Sequence, residues 1–149
     1  MKFLTGLFVV LGVMLPSFQA QAITNEVIFL CDMPNNQHVL VERNPVTDVF
    51  VLTFGTDLNR PEVTVMKRGN NLGTSAQASK EDGNLNRELY VTDGDNFYTV
   101  IFQDKQGVRS GFFQRMVGGS EVSYAACNAK TFRSKFDDYE LFDNLTIVD

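Results

Sequence analysis

The sequence predicts an all-β domain: a single antiparallel β-barrel or strongly curled meander of about eight strands, with a short C-terminal helix or tail. Three observations carry this. Between Glu88 and Asn128, four aromatic and β-branched runs follow one another with Gly, Asp and Asn between them, the pattern of an antiparallel meander. Four shorter runs of the same kind precede Arg68. Cys31 and Cys127, the only two cysteines, stand at the two ends of this strand-rich region.

Before the first strand, Met1-Lys2 gives a positive start, Phe3 to Leu15 is apolar and uncharged, and Ala20-Gln21-Ala22 is a small-residue cleavage site. Residues 1–22 therefore read as a secretory signal peptide, and residues 23–149 as one domain. The apolar run is short for a membrane anchor and no later segment reaches the necessary length, so no span is expected in the remaining chain. Export to a periplasm or medium is oxidising, and two cysteines there most simply form one disulfide, Cys31 to Cys127. Removing Lys2 leaves 12 basic against 18 acidic side chains, a net charge of −6. That balance disfavours nucleic acid and anionic membranes and favours basic partners.

The strands follow in order. Thr24 to Cys31 opens the domain, and Asp32-Met-Pro-Asn-Asn36 turns the chain. His38 to Glu42 and Val49 to Phe54 flank the turn Asn44-Pro-Val-Thr-Asp48. Glu62 to Lys67 alternates Val63 and Val65 with polar residues, as a half-buried strand does. Residues 68–86 are polar and rich in Gly, Asn and Ser, and read as a long loop. Glu88 to Thr92, Phe97 to Gln103, Ser110 to Val117 and Glu121 to Cys127 complete the set of eight. In the extension 128–149, Phe132, Phe136 and Tyr139 stand at helical spacing, with Ser134 and Asp137 placed as a capping pair. Leu145 to Val148 is an alternative edge strand.

Chemistry-bearing patterns are sparse. His38 is the only histidine, with no second histidine or free cysteine to build a zinc site and no G-x-S-x-G frame around any serine. Asp93-Gly-Asp-Asn96 places oxygens together but lacks the EF-hand frame, and reads as hairpin chemistry. Gly118-Gly119 leads into a strand, with no helix to receive a phosphate. Asn144-Leu-Thr146 matches a glycosylation acceptor too short to be specific. No cofactor, metal or catalytic residue is assigned. Adjacent Phe112 and Phe113 must face opposite sides of a strand, so one of them lies outside the core.

Cys31, the Phe54-Gly55 and Pro61-Glu62 pairs, the Gly94 to Tyr98 hairpin and the closing Cys127 together resemble a group of small exported bacterial β proteins. More distantly the layout resembles the periplasmic lysozyme inhibitors, small disulfide-tied antiparallel barrels. That resemblance implies a protein that inserts a loop into a lysozyme cleft. The inhibitors' Ser-Gly pair followed by Tyr or Lys has no full copy: Ser110-Gly111-Phe112 keeps the dipeptide, and Thr74 to Ser79 lacks the glycine. The expected partner-binding positions are Thr74, Ser75, Ser79 and Lys80 in the polar loop, with Ser110, Gly111 and Phe112.

The leading expectation is a non-catalytic exported binding protein of the bacterial envelope, its partner a basic protein such as a lysozyme. The alternative is a carrier of a small apolar ligand in a lipocalin-like barrel, lined by Phe50, Phe54, Phe97, Phe102 and Phe112 or Phe113. A barrel this small more readily fills with side chains.

Overall fold

The computed structural model describes residues 24–79, 83–138, 140–142 and 146–147, with backbone alone at 74–79, 142, 146 and 147. The leader 1–22, Lys80 and Tyr139 lie outside the described residues.

All eight expected strands form. They are β1 (Glu26–Asp32), β2 (His38–Asn44), β3 (Val49–Gly55), β4 (Val63–Arg68), β6 (Asn84–Asp93), β7 (Asn96–Lys105), β8 (Val108–Val117) and β9 (Ser120–Ala126). Three more join them: β5 (Gly73–Ser79), β10 (Arg133–Ser134) and β11 (Thr146–Ile147). Strand pairing gives two sheets, in the orders β10-β1-β2-β3-β4 and β11-β5-β6-β7-β8-β9. Every pairing is antiparallel except β11 with β5. Among the described residues the pairing closes no ring, so the fold is all-β in two sheets. No helix among these residues is long and apolar enough to cross a membrane.

Local chemistry explains the joints. Asn44 folds its side chain back, its Oδ1 accepting from the Val46 and Thr47 amides at 3.1 and 3.0 Å, and so turns β2 into β3. Gly118 and Gly119, at φ 56° and 81°, supply the two left-handed positions of the tight β8–β9 hairpin. Gly55 meets the Glu62 backbone so closely that a Cβ would stand 2.8 Å from its nitrogen, and that nitrogen donates to Phe54 O at 3.0 Å. The sequence pairs Phe54-Gly55 and Pro61-Glu62 are thus the two sides of one β3–β4 connection.

Phenylalanine fills the space between the sheets. Phe29, Phe50, Phe54, Phe102, Phe113 and Phe136 are all fully buried. Phe54 of the first sheet stacks on Phe113 of the second at 4.9 Å between centroids, and Phe29 packs against both Phe132 and Phe136 at 5.5 Å. Each such ring contributes roughly 1.5–3 kcal/mol by leaving water. Phe113 is the inward member of its pair, and Phe112 faces out, stacked on Tyr124 at 5.7 Å.

Two expectations are corrected. Most of the described part of the expected 68–86 loop is strand: a short 3-10 turn (Gly69–Asn71) leads into β5, which pairs residue by residue with β6 from Gly73↔Tyr90 to Ser79↔Asn84. Its rhythm is faint, with only Ala76 and Ala78 alternating with Ser75, Gln77 and Ser79, and the backbone ladder to β6 makes the strand. No α-helix forms in the C-terminal extension among the described residues either. Arg133 and Ser134 pair with Leu30 and Phe29 as β10, and Ser134 Oγ accepts from the Phe136 amide at 3.1 Å instead of capping a helix with Asp137. The free edge of β1 supplies partners for the extended backbone, while Phe132 and Phe136 both turn toward the core. A single 3-10 turn (Glu140–Phe142) is the only helical piece there among the described residues.

Cys31 on β1 and Cys127 just past β9 form the disulfide, with Cα atoms 4.9 Å apart. It joins one sheet to the other. Replacing both cysteines by alanine should lower stability by about 4–5 kcal/mol on the chain-entropy model for a closed loop of this length, read as a drop in urea midpoint. Gly111 offers a second test. A Cβ there would lie 2.2 Å from the Phe132 ring, so Gly111→Ala should destabilise by about 1–3 kcal/mol through overpacking. An unchanged midpoint would mean that Phe132 does not sit against β8.

Candidate functional site

Strand register sorts the six-stranded sheet into two faces. Leu89, Val91, Tyr98, Val100, Phe102 and Phe113 point into the core. The opposite face carries two cross-strand rows at its β6–β9 end: Thr92, Phe97, Met116 and Glu121, then Tyr90, Thr99, Gln114 and Tyr124. The next row continues with Glu88, Ile101, Phe112 and Ala126.

This outer face mixes aromatic and aliphatic side chains with polar ones, and while its middle positions Thr99 and Ile101 are buried, large apolar side chains stand exposed toward its β7–β9 end. Phe97 is 46% exposed, Tyr124 52% and Val122 55%, with Met116 half-buried beside them. Val122 is the extra residue of a bulge at Arg115/Met116, a feature that re-aims side chains at sheet edges. A shallow cleft of about 330 Å³ runs between Tyr90, Thr92, Phe97, Gln114 and Met116. Polar groups on the face are held in place: Gln114 Nε2 donates to Glu121 Oε2 at 2.6 Å, and the Tyr90 hydroxyl donates to Glu88.

The charge on this surface has one sign. Glu88 and Glu121 lie in its rows, and Asp93 and Asp95 are exposed on the adjoining β6–β7 turn. None of the three rows across β6–β9 contains a lysine or arginine. Arg115 lies close by but on the inner side, over the Tyr98 ring at 5.8 Å and donating to Asn96 Oδ1 at 3.3 Å. The arrangement offers flat aromatic contact with an acidic margin.

No family model matches the chain, and no curated protein or solved structure is significantly similar to it. The site therefore rests on its own geometry.

The residues singled out in the sequence are distributed as follows. Phe112 belongs to the outer face, and Ser75 shares its row through Ser75↔Glu88↔Ile101↔Phe112, about 14 Å away at ordinary strand spacing. Thr74 and Ser79 are other positions of β5, and Lys80 lies outside the described residues. Ser110 pairs with Gln103 in mid-strand. Gly111 is buried under Phe132, so the Ser-Gly dipeptide serves packing inside a strand and is not a loop tip. Sequence reading missed Phe97 and Tyr124 as surface partners, and it missed Gln114 and Glu121. It also missed Arg87, buried on β6 and donating to Phe136 O. Arg87 occupies the same strand phase as Leu89 and Val91, and that misplaced charge was its signal.

His38 begins β2, as expected, and its Nδ1 lies 2.6 Å from Asp32 Oδ1. An ionised carboxylate only accepts, so Nδ1 carries the shared hydrogen. Among the described residues no hydroxyl or thiol is bonded to the other ring nitrogen, and no three His, Cys, Asp or Glu side chains converge as metal ligands. The Asp32 carboxyl is held below its ordinary value near 3.8, first by the His38 bond and next by the Thr131 side chain, while partial burial works the other way and the charge of His38 lowers it slightly further. A carboxyl depressed in the folded state stabilises above its unfolded pKa, and that contribution is lost as pH falls through the lowered folded value. His38→Ala should raise the Asp32 pKa toward 3.8 and shrink this acid-sensitive contribution. Carboxyl-carbon NMR titration checks it, and an unmoved Asp32 titration would refute the assignment.

Proposed function

We propose that the chain is an exported, non-catalytic binding module that docks a basic protein on the aromatic outer face of β6–β9. A lysozyme-like enzyme is the sharpest candidate partner. One observation carries the reading: exposed Phe97, Val122 and Tyr124 lie together beside Asp93, Asp95 and Glu121, with no cation in the same rows. Aromatic side chains supply most of the energy at protein interfaces, and a one-signed margin steers the complementary partner and repels the wrong one. Contiguous exposed apolar surface marks interaction sites on otherwise soluble proteins. The disulfide suits an oxidising compartment, and the acidic balance of the whole chain suits a basic partner.

Lysozymes of several classes, incubated with the oxidised chain, test the reading. The expected result is a stoichiometric complex and loss of cell-wall hydrolysis, both weakening as salt rises. Phe97→Asp and Tyr124→Asp, at exposed positions that leave the core intact, should each weaken the complex at least about tenfold. Glu121→Lys should act mainly on the association rate. Enzymes that stay fully active under a large excess of the chain would sink the lysozyme partner. A complex indifferent to all three substitutions would sink the docking face.

A further inference from the structure

A second site, independent of the docking face, lies where the C-terminal extension laps back over β1. After Cys127, the Asn128 amide donates to Asp32 O at 2.7 Å, Phe132 N to Asn128 O at 2.9 Å, and Lys135 N to Ile28 O at 2.9 Å. The segment so fixed encloses, with β1 and β8, a cleft of about 670 Å³, within roughly the 300–1,000 Å³ of small-ligand sites. Val27, Leu30 and Phe132 give it an apolar floor, and Arg109, Arg133 and Lys135 are among its lining residues.

Three cations around one cleft stand out in a chain with an excess of acids. Two of them are already paired: Lys135 Nζ lies 2.9 Å from Glu26 Oε2, and Arg109 Nη2 lies 3.3 Å from Asp137 Oδ1. Arg133 differs. Its Nη1 donates to the carbonyls of Phe132 and Lys130 at 2.9 and 3.5 Å, and no carboxylate among the described residues lies within ion-pairing distance. A guanidinium keeps further donors after two carbonyl contacts, in a fork that suits carboxylate or phosphate oxygens.

We propose that this cleft binds a single-chain amphiphile with an anionic headgroup, its chain along Val27, Leu30 and Phe132 and its headgroup on Arg133. A bare anion leaves the apolar floor uncovered, and a neutral chain leaves the guanidinium unused. The apolar ligand expected of the sequence therefore moves from the phenylalanine-filled interior to this outer cleft.

Amide-resolved NMR of the oxidised chain tests the proposal, with sodium decanoate, decyl phosphate, decanol and acetate as probes. Decanoate or decyl phosphate should give saturable shifts at Val27, Leu30 and Phe132 to Lys135, and whichever binds more tightly identifies the headgroup. From octanoate to dodecanoate, affinity should rise by up to about fourfold per added methylene. Acetate and decanol should bind at least about tenfold more weakly than decanoate, lacking either the buried chain or the charge-assisted bond. Arg133→Glu and Val27→Glu replace exposed residues, and each should weaken binding at least about tenfold while leaving the rest of the spectrum in place. No saturable shift at millimolar probe, shifts centred elsewhere, equal binding of decanol, or an unaffected Arg133→Glu variant would each overturn it.

Discussion

The Cys31–Cys127 bridge is the constraint that fixes the join between the two sheets and the start of the tail that follows it. It does not close one ring of strands. It fastens the second strand of one sheet to the end of the edge strand of the other, 96 residues away. The described stretch from Asn128 to Phe136 runs on from that point. Asp32, next to one cysteine, holds the turn that follows the other through its own carbonyl, which accepts from the Asn128 amide at 2.7 Å. The tail then drops Phe132 and Phe136 onto Phe29, and Arg87 takes the Phe136 carbonyl from the facing sheet. A buried arginine is costly unless its donors are used, and this contact ties the tail to the facing sheet.

Filling the interior in this way decides where a ligand can go. With Phe54 stacked on Phe113 and Phe102, Phe132 and Phe136 packed around them, the space between the sheets is occupied by the chain itself. The outer face of β6–β9 carries exposed aromatic groups, and Gln114 orients Glu121 within that face. The bulge that sets Val122 apart also interrupts the exposed edge strand β9, which discourages open-ended pairing with other chains.

The strands were legible where side chains carried the signal. Val63 and Val65, Leu89 and Val91, and the Gly118-Gly119 hairpin announce alternation or a required backbone geometry, and those elements form as read. Thr74 to Ser79 carries only the weak alternation of Ala76 and Ala78 with Ser75, Gln77 and Ser79, and its strand is made by hydrogen bonds to β6 that any backbone can supply. The tail misleads for a different reason. A four-residue interval between Phe132 and Phe136 fits a helix, but an extended segment with a Ser134 turn delivers both rings to the same core. Of the candidate surface, Phe112 was readable from its neighbour Phe113, since two adjacent strand residues cannot share a face. Phe97, Gln114, Glu121 and Tyr124 lie up to 27 positions apart in sequence, and only cross-strand register unites them.

The two surfaces are separated by the geometry of a single strand. Arg109 and Met116 are both on β8, seven residues and so about 23 Å apart, and an odd separation puts them on opposite faces of the sheet. The cleft is built from backbone contacts of the tail with β1, which the disulfide anchors. The aromatic rows are built from the β6–β7 and β8–β9 hairpins, whose ladders include no residue of the tail and neither cysteine. Loss of the disulfide therefore bears first on the cleft, by freeing the segment that forms its wall, and only through loss of the whole fold on the aromatic face. β8, which carries a residue of each surface, is paired with β7 on one edge and with β9 on the other, and is packed through Phe113 at its middle.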